Sequence, residues 1–106
     1  MKTLNIGGLI PKLPIIQGGM GICVSLSGLA SAVANEGGIG VISAVGIGML
    51  EPDYRKKFRA SNKIALTKEI RKAREKSDGI IGVNIMMAIT DFDDLLQIAL
   101  EENVDV

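Results

Sequence analysis

The amino-acid sequence predicts an α/β fold in which short parallel strands alternate with helices. Short apolar segments rich in β-branched residues alternate with longer segments of helical periodicity, in the order β-α-β-α-β-α-β. The strand segments are apolar at consecutive positions, which is typical of strands buried on both faces and favours parallel pairing with right-handed crossovers. This alternation leaves two architectures open: an open doubly wound sheet or part of a closed barrel.

The predicted strands are bounded by Gly, Pro or Asp. They cover Pro14–Gln17, Ile39–Ser43, Ile80–Ile85 and the segment from Val104 to the end. Since the last strand has barely begun where the sequence stops, we expect residues 1–106 to be a single segment, the N-terminal portion of a longer domain. The opening residues, Leu4–Ile10, are expected to form a short hairpin or a plug across the bottom of a barrel.

Three helices are predicted from apolar residues at helical spacing. The apolar faces consist of Leu26, Leu29, Ala30, Val33 and Ala34 in the first helix, Leu66, Ile70 and Ala73 in the second, and Phe92, Leu95, Leu96 and Ala99 in the third. Ser25 or Ser27 is the expected N-cap of the first helix, and Gly37 is expected just beyond its end. Thr90 or Asp91 is the expected N-cap of the third helix.

The crossover between the second and third strands is longer than one helix requires. Glu51–Tyr54 is expected to start an extra helix, with its proline in the first turn. Within Arg55–Lys76, ten basic residues stand against two acids, Glu69 and Glu75. We interpret this basic stretch as a solvated outer helix face, with a patch for an acidic partner as the alternative.

Composition narrows the class of partner. Twelve basic and twelve acidic residues give a net charge of zero, which favours neither nucleic acid nor an anionic membrane. No apolar run reaches the roughly 18 residues of a membrane span, and no signal-peptide core follows Met1, so a cytoplasmic location is expected. Binding of nucleic acid through the basic helices is an alternative, and it would weaken steeply with salt.

Composition also narrows the chemistry. The chain has no histidine, so the commonest general base is absent. Cys23 is the only cysteine, and without a histidine to activate it we interpret it as a small buried or loop residue. Asp91, Asp93 and Asp94 are explained by their place at a helix start, so no metal site is expected.

The residues that follow each predicted strand are the candidates for ligand binding, because ligands of parallel α/β folds sit at the carboxyl ends of the strands. They are Gln17-Gly18-Gly19-Met20-Gly21, Ser43-Ala44-Val45-Gly46 and Asn84-Ile85-Met86-Met87. Glycines let the main chain approach a flat ligand and expose N–H groups, while Gln and Asn amides both donate and accept. This combination suits a heteroaromatic ring better than it suits a nucleophile. A tight turn without a ligand is the alternative.

The second glycine-rich segment, Gly37-Gly38-Ile39-Gly40, is not a dinucleotide-binding motif. Its glycines precede a strand instead of linking a strand to a helix. We interpret them as a helix end followed by a turn.

Three motifs, taken together in their order and spacing, resemble those of nitronate monooxygenases, once called 2-nitropropane dioxygenases, and of the related FMN-dependent enoyl-acyl-carrier-protein reductases. The motifs are PIIQGGMG (Pro14–Gly21), ANEGGIGVI (Ala34–Ile42) and GVNIM (Gly82–Met86). The resemblance covers nearly the whole chain. It implies an FMN-binding (β/α)8 TIM barrel, of which these residues hold the first three βα units and the beginning of the fourth strand.

The resemblance also implies a set of cofactor-binding residues. The segment that matches Gly19-Met20-Gly21 lies against the isoalloxazine ring, and the residue that matches Asn84 hydrogen-bonds the flavin. Gln17 and Gly18 complete the set at the strand end. The family's phosphate-binding turns and catalytic histidine lie downstream, so no catalytic residue is assigned in this segment.

The function that the resemblance implies is oxidation of an alkyl nitronate through FMN, with O2 as the electron acceptor. The alternative within the resemblance is hydride transfer from NADH or NADPH through FMN to an enoyl thioester, in which the basic stretch would meet an acidic carrier protein. The long crossover favours the monooxygenase. A non-catalytic α/β binding module is the alternative outside the resemblance.

Overall fold

A computed structural model describes residues 1–106 as three helices and a sheet of two parallel strands. In chain order the elements are helix α1 (Ser27–Asn35), strand β1 (Ile39–Ser43), helix α2 (Phe58–Lys76), strand β2 (Ile80–Asn84) and helix α3 (Phe92–Glu101). The register places Ile39 opposite Ile80 and Ser43 opposite Asn84. The predicted α/β fold with parallel pairing is therefore confirmed.

Two further segments run beside the sheet without forming full strands. We call residues 14–17 the first segment and residues 104–106 the last segment. Next to β1, the Ile39 N–H donates to the Ile15 carbonyl at 2.9 Å, and the Gln17 N–H donates to the Ile39 carbonyl at 3.0 Å. Next to β2, the Asp105 N–H donates to the Ile81 carbonyl at 2.9 Å. The first and fourth predicted strands are thus shorter than expected. All four segments lie side by side in chain order.

The core lies between the sheet and the helices. Five large side chains have no exposed surface and belong to one apolar cluster: Ile42, Leu66, Ile70, Ile81 and Leu95. This confirms the predicted buried face of the second helix. The prediction is wrong for Leu29 and Leu96, which are each 39% exposed because they lie at the edges of the apolar faces of α1 and α3.

Helix α1 packs closely on β1 because of one glycine. A Cβ atom on Gly40 would overlap the carbonyl group of Ala30. The main chains of the helix and the strand are therefore in direct contact at this point.

The start of α1 differs from the expectation. Leu26, not Ser25 or Ser27, occupies the N-cap position, and no side chain of the segment itself caps the helix. Instead, the Ser27 N–H donates to Glu69 Oε2 at 3.0 Å. A carboxylate from α2 therefore satisfies a free N–H group at the positive end of α1.

The end of α1 matches the expectation. Gly37 has a φ of +96°, and its N–H donates to the Ala34 carbonyl at 3.0 Å. The Gly38 N–H donates to the Val33 carbonyl at 3.2 Å. These two bonds form a Schellman motif, which stops the helix and turns the chain towards β1.

The start of α3 is held by a buried polar link. Asp91 is the N-cap residue, as predicted, but its side chain makes no capping hydrogen bond. The Asn62 Nδ2 donates to Asp91 Oδ2 at 2.8 Å, and the Gly48 N–H donates to Asn62 Oδ1, also at 2.8 Å. The loop after β1, helix α2 and the start of α3 are joined through this link.

The extra helix expected at Glu51–Tyr54 does not form. The Glu51 N–H donates to the Gly48 carbonyl at 2.8 Å, and the Tyr54 N–H donates to the Glu51 carbonyl at 3.2 Å. Because these bonds span three residues, they close successive turns and do not establish an α-helical ladder. Helix α2 begins only at Phe58.

The opening residues form a hairpin, the first of the two forms expected for them. Ile6 and Leu9 exchange two main-chain hydrogen bonds of 2.9 Å. Gly7 and Gly8 between them have φ values of +57° and +95°, the pattern of a two-residue hairpin turn that favours glycine. The Asn5 side chain supports the turn by accepting the Gly8 N–H at 2.9 Å.

The basic stretch lies largely on α2, where several of its cations pair with carboxylates. The ion pairs are Arg59–Asp94, Lys68–Glu51, Arg71–Glu102, Lys72–Glu69 and Arg74–Asp105. Their partners lie on neighbouring elements or on α2 itself, as expected for a solvated outer face. Neither α2 nor the other helices combine the length and apolar character needed to cross a membrane.

Candidate functional site

The glycine turn, defined as residues Gly18–Gly21, leaves the sheet at the carboxyl end of the first parallel segment. Gly19 lies directly against Asn84, since a Cβ atom on Gly19 would be 2.5 Å from the Asn84 Cβ and 3.4 Å from Val41 Cγ1. The fold therefore brings together two predicted cofactor-binding residues that are far apart in the sequence. Parallel pairing achieves this because it places all the strand ends at one edge.

The Gln17 side chain is engaged by β1. The Val41 N–H donates to Gln17 Oε1 at 3.0 Å, and Gln17 Nε2 donates to the Val41 carbonyl at 2.9 Å. A longer bond of 3.4 Å joins Nε2 to the Gly18 carbonyl. Beyond Gln17 the first segment makes no main-chain bond to β1, which explains why this segment is shorter than the predicted strand. Contact between Gln17 and flavin stays a prediction.

Two buried serines hold the glycine turn in place. Ser25 Oγ accepts the Met20 N–H at 2.9 Å, and the Ser25 N–H donates to the Met20 carbonyl at 3.2 Å. Ser43 Oγ donates to the Gly21 carbonyl at 2.9 Å. Ser25 and Ser43 are 0% and 1% exposed. The main-chain groups of Met20 are thus used within the chain, while its side chain remains 53% exposed.

Sequence reasoning did not identify either serine as a residue that holds the glycine turn in place. From the sequence, Ser25 is a candidate helix cap, and Ser43 is the first of the candidate ligand-binding residues at the end of the second strand. The available signal was their position, because a small hydroxyl residue after a glycine turn, or at a strand end beside it, is well placed to bond the turn's main chain.

Several polar groups at this edge have no hydrogen-bond partner within the chain. They are the N–H groups of Gly18, Gly19 and Gly21 and the exposed side-chain amide of Asn84. The side chains of Met20 and Met86, about half exposed, follow the same strand ends. Free donors, an amide that donates and accepts, and polarizable thioethers match the edge and face of a flat heteroaromatic ring. The residues present therefore fit a flavin ring.

The site is electrically neutral. From Gly79 to Thr90 there is no ionisable residue, and between Leu13 and Leu50 the only ones are Cys23 and Glu36. The turn and the strand ends therefore supply hydrogen bonds and shape, without an acid or base for proton transfer.

Cys23 lies just after the turn in a left-handed conformation, with a φ of +57°. Its Sγ is 3.8 Å from the Gly46 carbonyl oxygen and 3.7 Å from that of Ile47. These weak contacts link the turn to the loop after β1, in keeping with the interpretation of Cys23 as a loop residue.

The three aspartates around the start of α3 do not gather around a common point, and no group of three or more potential ligands is placed to hold a metal ion. Asp91 bonds Asn62, whereas Asp94 Oδ2 lies 2.8 Å from Arg59 Nε. The hydrogen bond and the charge of Arg59 lower the pKa of Asp94, and the same pair raises the pKa of Arg59. This pair joins α2 to α3 and is not part of the glycine turn.

Comparison with known proteins connects this geometry to a family. The sequence model described as nitronate monooxygenase matches residues 4–104. A search of curated proteins found no match. Among solved structures, FabK from Thermotoga maritima is similar to the chain with a TM-score of 0.67 and 35% identity, over 89% of this chain and 25% of FabK.

A mutant of FabK from the same organism gives a TM-score of 0.66 and 35% identity, over 89% of this chain and 27% of that chain. The chain thus spans about a quarter of the length of these structures. The family match takes in the glycine turn, both strands and all three helices. The chain therefore belongs to the nitronate monooxygenase family.

Proposed function

We propose that this chain forms one wall of the FMN site in a flavin-dependent oxidoreductase that oxidises alkyl nitronates with O2. The observation that carries the proposal is the set of unpartnered groups at one edge of the sheet: the N–H groups of Gly18, Gly19 and Gly21 and the amide of Asn84. Membership of the family supports the class of enzyme, and nitronate oxidation is the activity in the family's description.

Bound FMN would supply the redox chemistry, accepting electrons from the nitronate and passing them to O2. The chain's own part is to bind and orient the ring. The free N–H groups of Gly19 and Gly21 would donate to acceptor atoms at the ring edge, and the Asn84 amide would donate or accept beside them. The Met20 side chain would cover the ring face, since its main chain is held by Ser25.

We further propose that the chain is the N-terminal part of a (β/α)8 barrel. The first segment, β1 and β2 pair in parallel, the last segment lies beside β2, and a helix stands in each crossover. Helix α2 packs against both α1 and α3, so the three helices form one layer, as they would outside a barrel. The likeness to about a quarter of FabK supports the same arrangement.

Titration with FMN of the barrel that carries this chain tests the binding site. We expect saturable quenching of flavin fluorescence that weakens in the Asn84→Ala variant, because that variant removes the free amide. Exposed Asn35, whose amide bonds the Lys76 carbonyl on the outer side of the fold, gives the matched control Asn35→Ala. Absence of saturable quenching, or equal weakening by both variants, would contradict the site.

The substrate is tested by mixing the FMN-loaded protein with propionate 3-nitronate in the absence of O2 and of nicotinamide. Loss of the visible flavin absorption would support nitronate oxidation. Rapid loss of absorption with NADH or NADPH, and none with the nitronate, would overturn it.

A second candidate is an FMN- and NAD(P)H-dependent enoyl-acyl-carrier-protein reductase. The observation that favours it is the 35% identity with FabK, an enoyl-acyl-carrier-protein reductase of the same family, over 89% of the chain. Four cations around the start of α2, namely Arg55, Lys56, Lys57 and Lys63, are outside the ion pairs and would face an acidic carrier protein.

The cytoplasmic location stays a prediction.

A further inference from the structure

The hydrogen bonds between the first segment and β1 change at Val41 from main-chain to side-chain partners. In a parallel ladder, one residue bonds two residues of the neighbouring strand that are two positions apart. Ile39 follows this rule, because its N–H donates to the Ile15 carbonyl and its carbonyl accepts from the Gln17 N–H. By the same spacing, the next partners, those of Val41, would be the Gln17 carbonyl and the Gly19 N–H.

The Gln17 side chain takes both of these positions. Its Oε1 accepts the Val41 N–H in place of the Gln17 main-chain carbonyl, and its Nε2 donates to the Val41 carbonyl in place of the Gly19 N–H. Val41 is only 8% exposed, so both of its main-chain groups need partners within the protein. As a result, the Gln17 carbonyl and the Gly19 N–H are left without partners in the chain.

Glutamine is suited to this substitution because its side chain ends in an amide, the same group that links residues along the main chain. The amide offers one acceptor and a donor at a fixed angle. A glutamate would accept from the Val41 N–H but present a second oxygen to the Val41 carbonyl, and a methionine of similar length would satisfy neither group.

We propose that Gln17 is a positioning residue whose side-chain amide replaces the main chain in the ladder and so keeps the Gly19 N–H and its own carbonyl oxygen free for the edge of the flavin ring. The identity of the ligand rests on the proposed function, whereas the replacement in the ladder does not. Within the glycine turn, the Gly19 N–H is therefore free because of this glutamine.

Amide hydrogen exchange, followed by NMR on the wild-type chain without flavin, tests the ladder directly. We expect slow exchange at the Val41 N–H, fast exchange at the Gly19 N–H, and slower exchange at the Gln17 side-chain amide than at that of Gln97. Gln97 is the internal reference because its side chain is exposed on α3, where it bonds Glu101. Slow exchange at Gly19, or equal exchange at the two glutamine side chains, would overturn the proposal.

The variant Gln17→Met tests the consequence for binding. Without the amide, the Gly19 N–H should take the regular ladder bond to the Val41 carbonyl, so its exchange slows and the Kd for FMN rises by about tenfold, the value of one hydrogen bond. Gln97→Met is the matched control and should change neither quantity. If Gln17→Met fails to fold, Gln17→Glu decides the question. It should keep Val41 N–H exchange slow, because a carboxylate oxygen still accepts that N–H, and fast exchange there would overturn the proposal.

The two hypotheses fail in different ways. If the wild-type barrel shows no saturable FMN binding, the proposed function is contradicted, and the exchange pattern still decides the ladder replacement. If FMN binds the wild-type chain and Gln17→Met with equal affinity, and Gly19 exchange is the same in both, only the positioning role of Gln17 is overturned.

Discussion

The two glycine-rich segments of this chain look alike in composition and do opposite things. In Gly37–Gly40, the absence of side chains allows close packing: a Cβ atom on Gly37 would be 2.7 Å from the Lys12 Cβ, and one on Gly40 would overlap the Ala30 carbonyl. In the glycine turn, a Cβ atom on Gly18 would meet nothing within 4 Å. Gly19 in the same turn does pack closely, since its Cβ atom would be 2.5 Å from the Asn84 Cβ, so it is the exposed start of the turn that is open.

The hydrogen bonds show the same contrast. The Gly37 and Gly38 N–H groups both donate to carbonyls of α1, whereas the Gly18 and Gly19 N–H groups have no partner in the chain. Glycine content alone therefore does not identify a binding turn. What distinguishes the two segments is whether their main-chain donors are already used.

The largest expected effect comes from closing the space at Gly40. Gly40→Ala should lower the free energy of unfolding by about 3 kcal/mol, because the new methyl group forces α1 away from β1. Urea denaturation gives the measurement. Gly28→Ala, on helix α1 and with nothing within 4 Å of the new atom, is the control and should not destabilise the protein. Equal unfolding midpoints for both variants would contradict this account of the packing.

A smaller loss is expected at Gly37. Its φ of +96° lies in the region that side chains disfavour, so Gly37→Ala should destabilise the protein by about 1–2 kcal/mol. The same urea experiment measures it. An unchanged midpoint would show that the end of α1 does not need the Schellman motif.

Within the open segment, Ser25→Ala should reduce stability by about 1 kcal/mol, because the Met20 N–H loses its acceptor. We also expect weaker FMN binding, measured by fluorescence quenching, since the turn is no longer held in place. Ser25→Thr keeps the hydroxyl group and should restore part of the affinity. Full affinity in Ser25→Ala would remove this serine from the site.

Gly18→Ala should separate the fold from the site. The new methyl group meets no protein atom, so the free energy of unfolding should change by no more than about 0.5 kcal/mol. FMN affinity should nevertheless fall, because the methyl group stands on the exposed main chain of the turn. Unchanged FMN affinity in a stable variant would place the ligand away from Gly18.

The smallest effect concerns acid stability, which neither glycine segment influences because neither contains an ionisable group. Arg59 lowers the pKa of Asp94 below its ordinary value of 3.8, so the pair stabilises the fold above that value and is lost as the pH falls through the lowered pKa. Unfolding free energies between about pH 5 and pH 2 should fall less steeply in Asp94→Asn than in the wild type. Parallel curves would contradict this role.

Much of the fold is predictable from local sequence. The bounds of β1, Ile39–Ser43, follow from a short apolar run after Gly37-Gly38, and the end of α1 follows from Gly37. The buried face of α2 follows from helical spacing. In each case, the deciding interactions lie within a few residues of one another.

The parts that sequence could not predict depend on residues that meet only in the folded chain. Gln17 shortens its own strand because its side-chain amide hydrogen-bonds the main chain of Val41. Ser43 hydrogen-bonds the glycine turn only because β1 lies beside that turn. The glycine turn was identified by its place after the first predicted strand and by the family resemblance, and its contact with Asn84 follows from parallel pairing. Which of its main-chain groups are free became visible only in the structure.

The link between Glu69 and the start of α1 bears on how the chain folds. A helix of nine residues without a local cap is marginal alone, so its first turn becomes stable only after α2 has docked and brought the carboxylate to the Ser27 N–H. We therefore expect α2 to form ahead of α1, although α1 comes first in the chain.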